Sequence, residues 1–135
     1  MNNKSETFKK SERLCSRKIL SGLSEYGNVF YSSFFKIIWI KIPGQDFYPV
    51  QVAFSVSKKG FRHAVTRNLI KRRIKEAYRK NKYLLYDFLD SEKIRIAMLI
   101  VFKDSTIPGY QSVEKSMNEL IAKLINNIRK TEKNC

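Results

Sequence analysis

From Ile94 to Phe102 the chain carries one polar side chain, Arg95, and from Ile96 to Phe102 it carries none. A strand with one wet face shows a polar residue at every second position. A run that is apolar at each position must be covered on both faces. Seven residues are far too few to cross a bilayer, which takes roughly 20. The run therefore reads as an interior strand, and the chain has to supply helices to cover it.

The rest of the pattern supplies them. Leu14, Ile19, Leu20 and Leu23 recur at helical spacing between Arg13 and Tyr26, and Gly27 follows as a stop. Phe34 to Ile42 is dense in aromatic and β-branched residues and reads as a strand. Phe35, Ile37 and Trp39 share one of its faces; Phe34, Ile38 and Ile40 surround Lys36 on the other. Pro43, Gly44 and Asp46 mark a turn. In the next strand Tyr48, Val50, Val52, Phe54 and Val56 alternate with Gln51, Ala53, Ser55 and Ser57. One face is apolar and the other is small and polar, leaving room for something to lie across it.

A helix is expected from about Thr66 to Lys82, with Tyr83 to Lys93 as a partly apolar connector. After Pro108 and Gly109, Ser112 can cap a last helix with Glu114 near its positive end. Its apolar stripe holds Met117, Leu120, Ile121, Leu124, Ile125 and Ile128, so it should pack on the sheet. The order is helix, strands, helix, strand, helix, a layered domain in which a helix joins two strands of one sheet. A polar, basic tail is expected over residues 1–12 and a single domain over 13–135, with no repeat or linker dividing it.

Charge narrows the function. The formal net charge is +15, from 27 Lys and Arg against 12 Asp and Glu. Eleven of those basic residues and only one acid, Glu76, fall between Lys58 and Lys82. Such a segment calls for a polyanion. No apolar run is long enough for a membrane span, and Met1 to Lys10 lacks the apolar stretch of a secretory signal. Cys15 and Cys135 make neither a disulfide framework nor a metal spacing. A reducing cytoplasm and a nucleic-acid partner fit these features.

Helical phasing sharpens the segment. At about 100° per residue, Arg67, Lys71 and Lys75 climb one side, with Asn68, Arg72 and Arg79 beside them. Ile70, Ile74, Ala77 and Tyr78 fall on the neighbouring arc. The helix should dock by that apolar arc and present a basic ridge outward. A solvated surface helix mixes charge signs for i,i+4 pairing, and here Glu76 alone is available. Guanidinium forks suit phosphates, lysines act as point charges, and Asn68 both donates and accepts. Lys58, Lys59 and Arg62 extend the basic surface into the preceding loop.

Autonomous catalysis is not expected. His63 is the only histidine, and Asp87 and Asp90 are the closest-spaced aspartates, in the connector. A two-metal site needs clustered carboxylates, and none is evident. No helix-turn-helix pattern or zinc spacing points to DNA.

Ser55-Val56-Ser57-Lys58-Lys59, then Ala64-Val65, then Arg67-Asn68 with Lys71-Arg72 and Lys75-Glu76, resembles the signature of the bacterial ribonuclease P protein subunit. That family's motif runs Ser-Val-Ser-Lys-Lys, a short spacer, Ala-Val, then Arg-Asn-Arg followed by Lys-Arg and Arg-Glu. Order and spacing agree over about 25 residues, and length and element order agree over the whole chain. Two positions depart: Leu69 stands for the second Arg of the triplet, and Lys75 for the last Arg.

The resemblance implies an α+β fold, a two-layer α/β sandwich with a mixed sheet of about four strands, of the type seen in a small-subunit ribosomal protein. It also implies a left-handed βαβ crossover, which general rules would not favour. It implies the non-catalytic subunit of the holoenzyme that removes the 5′ leader from precursor tRNA. The RNA subunit does the chemistry with Mg²⁺, and the protein binds no cofactor itself. Its partners would be the catalytic RNA, one protein per RNA, and precursor tRNA. RNA contacts would come from Lys58, Lys59, Arg62, Arg67, Asn68, Lys71, Arg72, Lys75 and Arg79. The leader would lie on the sheet face and first helix, at Leu20, Ser24, Phe35, Lys36, Ile38, Ser55 and Ser57. The alternative is a ribosomal protein or RNA chaperone on a similar fold.

Overall fold

The computed structural model describes residues 12–14, 16–43 and 49–133. The apolar run forms β4 (Ile96–Phe102), an interior strand of a four-stranded sheet. On one side it pairs antiparallel with β2 (Phe35–Lys41), and on the other parallel with β3 (Val50–Val56). The outer strand beside β2 is β1 (Asn28–Ser32), giving the order β1-β2-β4-β3. β1 and β2 form a hairpin over Ser33 and Phe34, with Ser33 in the left-handed region at φ 55°. The strand expected from Phe34 thus starts one residue later, and the strand before it is an addition to the expected order.

Three helices cover one face: α2 (Ala64–Asn81), α3 (Tyr83–Glu92) and α4 (Tyr110–Lys133). Ile70, Ile74, Ala77 and Tyr78 of α2 and Met117, Leu120, Leu124 and Ile128 of α4 join one buried cluster with Phe35, Ile37, Trp39, Met98 and Ile100. Trp39 meets its single polar need there, as Nε1 donates to Asn127 Oδ1 at 2.7 Å. The segment expected as a connector is helical because Leu85 and Leu89, one turn apart, both reach this core. It ends at Lys93, whose left-handed φ of 56° lets its N–H bond the Asp90 carbonyl.

The short helix α1 (Arg17–Tyr26) crosses the opposite face of the sheet. Ser16 caps it by accepting a bond from the Ile19 N–H. Leu23 is buried against Ala97, with Leu20, Ile38, Ile40, Ala53 and Leu99 packed around them. A side chain at Gly27 would collide with Ile38 and the Leu23 carbonyl, so the turn out of α1 needs glycine. Before the helix, Leu14 N–H bonds the Val52 carbonyl at 3.0 Å, laying residues 13 and 14 along the outer edge of β3.

Residues 1–11 of the expected tail lie outside the described residues, but Glu12 is fully buried and ion-paired with Lys82. Phe35, expected on the leader-binding face, points into the core at 0% exposure. It sits opposite Phe102 in the β2–β4 register, on the helix-covered side. Both faces of β2 are apolar, so alternation alone could not say which one faces the helices.

Candidate nucleic-acid interface

The loop between β3 and α2 is held by its own short-range bonds. Ser57 Oγ accepts from the Lys59 N–H at 3.1 Å, and the Ser57 carbonyl accepts from the Phe61 N–H at 3.2 Å. Phe61 is buried with its ring 6.1 Å from that of Phe102. Lys58, Lys59, Arg62 and His63 are left exposed around this anchor. Arg67, one turn into α2, turns back toward the loop: its Nη1 donates to the carbonyls of Phe61 and Arg62, each at 2.8 Å.

Along α2 the buried arc sets what faces outward. Asn68, Arg72 and Lys75 are exposed and Lys71 is half-buried. With Val65 and Leu69 they line a shallow recess of about 380 Å³. Val65 is 81% exposed, so the ridge carries an apolar stripe at Val65 and Leu69 flanked by cations. Arg79 differs from the others. Glu76 grips it in a fork, Nε to Oε1 at 3.0 Å and Nη2 to Oε2 at 2.6 Å, and Lys80 lies 3.9 Å from the same carboxylate. The bond from Arg79 holds the Glu76 carboxyl below its usual range. Arg73 lies apart from the ridge and donates to the Pro108 carbonyl at 2.5 Å.

The second part of the interface is the sheet face under α1. The registers align Tyr31, Lys36, Val101 and Ser55 as one row across all four strands. The next row, Val29, Ile38, Leu99 and Ala53, meets α1 through its inner residues. Tyr31 is 63% exposed and Lys36 and Ser55 are partly so, which leaves the first row open. Of the residues expected on this face, Lys36 and Ser55 lie in the open row and Ser57 continues from it. Leu20 is on the inner side of α1, packed with Ile38 of the sheet beneath it, and Ser24 is exposed on that helix. Phe35 is on the other side of the sheet.

Tyr31 is the residue that sequence reasoning missed. Its signal was present: Val29 and Tyr31 alternate with Phe30 and Ser32, the period of a strand. Ser55, Ser57, Lys58 and Lys59 follow one another closely, so the basic loop joins the open row to the ridge. Lys103 and Asp104 line a further recess of about 300 Å³ with Ser57, Lys59 and Gly60 at this junction.

Among the described residues, no three His, Cys, Asp or Glu side chains converge as metal ligands. Asp87 and Asp90 sit on α3, and burial, aided by Asp87, raises the Asp90 carboxyl. No helix among the described residues is long and apolar enough to cross a membrane.

Comparison with known proteins agrees over most of the chain. The family model described as Ribonuclease P matches residues 8–125. A Ribonuclease P protein component from Porphyromonas gingivalis is 30% identical over 119 residues, covering 88% of this chain and 87% of that protein. One from Chlorobium phaeobacteroides is 32% identical over 133 residues, covering 91% and 85%. Among solved structures, the RNase P protein from Thermotoga maritima superposes with a TM-score of 0.63 at 17% identity, covering 83% of this chain and 96% of that one. The Staphylococcus aureus RNase P protein gives 0.61 at 18% identity, covering 85% and 95%. At such identities the structural likeness speaks for the fold alone.

Proposed function

The chain belongs to the ribonuclease P protein family, and we propose that it binds the catalytic RNA of ribonuclease P through its basic ridge and loop, and the 5′ leader of precursor tRNA on the open sheet face. The observation that carries this reading is the continuity of the two surfaces. The row Tyr31, Lys36, Val101 and Ser55 runs into Ser57, Lys58 and Lys59, and from there into Asn68, Arg72 and Lys75. Two RNAs can lie side by side on such a surface.

Each part suits its RNA. On the sheet face, the Tyr31 ring offers a stacking platform to an unpaired base. Lys36, paired directly with Tyr31 across the hairpin, meets the phosphate beside it. Ser55 and Ser57 supply hydroxyls for ribose or base edges. On the ridge, Arg72 offers a guanidinium fork and Lys71 and Lys75 point charges to the phosphates of a folded RNA, and Asn68 adds a group that both donates and accepts.

On this reading the endonucleolytic step belongs to the RNA subunit, which uses Mg²⁺, and the chain contributes no reacting group. One protein serves one RNA, in the cytoplasm, and the protein holds no cofactor of its own. Its positive charge offsets repulsion between catalytic RNA and substrate, so less Mg²⁺ is needed. Reconstitution of the RNA subunit with and without the chain tests this. The chain should lower the Mg²⁺ concentration that gives half-maximal cleavage of precursor tRNA. An unchanged Mg²⁺ requirement, with cleavage no faster, would overturn the assignment.

A further inference from the structure

Arg67 opens the basic ridge, and its guanidinium faces the loop behind it. One nitrogen, Nη1, donates to two successive carbonyls, Phe61 O and Arg62 O, at 2.8 Å each. The same residue's backbone N–H bonds the His63 carbonyl at 3.2 Å. We infer that Arg67 is a positioning residue, which clasps the loop so that Lys58, Lys59 and Arg62 meet RNA as one preformed cluster.

Three features support this. First, α2 begins without a side-chain cap, since His63 at that place makes no capping bond. Helices entered through Ser, Thr, Asp or Asn have their first turn fixed by that side chain. Here the clasp from Arg67 is what fixes the entry. Second, the other ties described in the loop stop at Phe61: the Ser57 hydroxyl to Lys59, the Ser57 carbonyl to Phe61, and the Phe61 ring against Phe102. The clasp from Arg67 extends them to Arg62. Third, three cations held close together repel one another, and the loop resists spreading only if something binds its backbone. A guanidinium with its donors on carbonyl oxygens does that. A loop ordered in advance also loses less conformational freedom on binding.

This inference rests on the reading of the loop and ridge as an RNA surface. A double-mutant cycle separates the two ideas. The full chain, R67A, the loop variant K58A/K59A/R62A and their combination are titrated with the ribonuclease P RNA over a range of salt. Hydrogen exchange of the Lys59–Arg62 amides is measured on the free proteins, with circular dichroism to check folding. R67A should weaken RNA binding in the natural loop but change it less than about two-fold once the loop cations are gone. The loop amides of R67A should exchange about ten-fold faster or more. R67K keeps the charge, but its ammonium ends one bond short of the place of Nη1, and it should behave like R67A.

Equal losses from R67A in both loop backgrounds, or rescue by R67K, would mean a direct phosphate contact and overturn the inference. If the loop variant binds RNA as well as the natural chain, the RNA surface is wrong. Exchange then decides the clasp alone: a loosened loop supports it, and an unchanged loop sinks it.

Discussion

Glu12 Oε2 lies 2.6 Å from Lys82 Nζ, a buried ion pair that bridges 70 residues of chain and ties the segment before α1 to the junction of α2 and α3. Tyr86 donates its hydroxyl to the same carboxylate oxygen at 2.6 Å, and the Tyr78 hydroxyl lies 3.1 Å from that of Tyr86. Removing one member of such a pair strands a charge away from water, at a cost of about 3–5 kcal/mol. E12A should therefore lower the unfolding free energy by that order, read by urea titration. E12A/K82M, which removes both charges, should recover most of it. Additive losses in the double variant would show that the pair does not act as a unit.

The two tyrosines give the network an alkaline limit. Burial pushes the Tyr78 and Tyr86 hydroxyls above their ordinary values. Their folded values are raised, so their contribution is complete below the unfolded value near 10 and declines as pH rises beyond it. The urea midpoint of the natural chain should fall more steeply between about pH 9 and 11 than that of Y86F. Parallel curves would contradict it.

Phe35 and Tyr31 should separate stability from binding. Phe35 is enclosed by Phe34 and Phe102, so F35A should lower stability by about 3–5 kcal/mol. Tyr31 is mostly exposed, and Y31A should change stability by no more than roughly 0.5–1 kcal/mol. Thermal scans of the two variants check the assignment of faces; similar losses in both would contradict it.

On the ridge, Glu76 restrains Arg79. R72A should lower the salt slope of RNA binding by about one unit, the change expected when one phosphate is no longer neutralised. E76Q should instead strengthen binding, since it loosens the Arg79 fork and removes the acid of a basic helix. Tighter binding with an unchanged or steeper slope is expected from filter binding at several salt concentrations. Weaker binding by E76Q would mean that the fork is needed as it stands.

Much of this arrangement was legible in the chain. The doubly covered β4, the alternation in β3 and the docked arc of α2 follow from apolar spacing alone. The ridge at Asn68, Lys71, Arg72 and Lys75 follows from the same phasing. Other features were hidden for physical reasons. β1 is five residues long and lies at an edge, so its alternation is brief. The face chosen by Phe35 depends on which side of the sheet the helices pack, and β2 is apolar on both. Glu12 looked like part of a polar tail because its partner lies so far along the chain. The bonds that redirect Arg67 and Arg79 depend on local geometry that charge and spacing do not encode.

Leader recognition on the row through Tyr31 and Lys36 is the centre of the account. It is tested most directly by the affinity of the reconstituted holoenzyme for precursor tRNA with a long leader and with a very short one. The natural chain should favour the long leader, and Y31A/K36A should lose that preference while binding the short-leader substrate unchanged. Stacking on one aromatic contributes about 1–3 kcal/mol per base, so the loss should be several-fold or more. Equal affinity for both leaders with the natural chain, or an undiminished preference in Y31A/K36A, would contradict it.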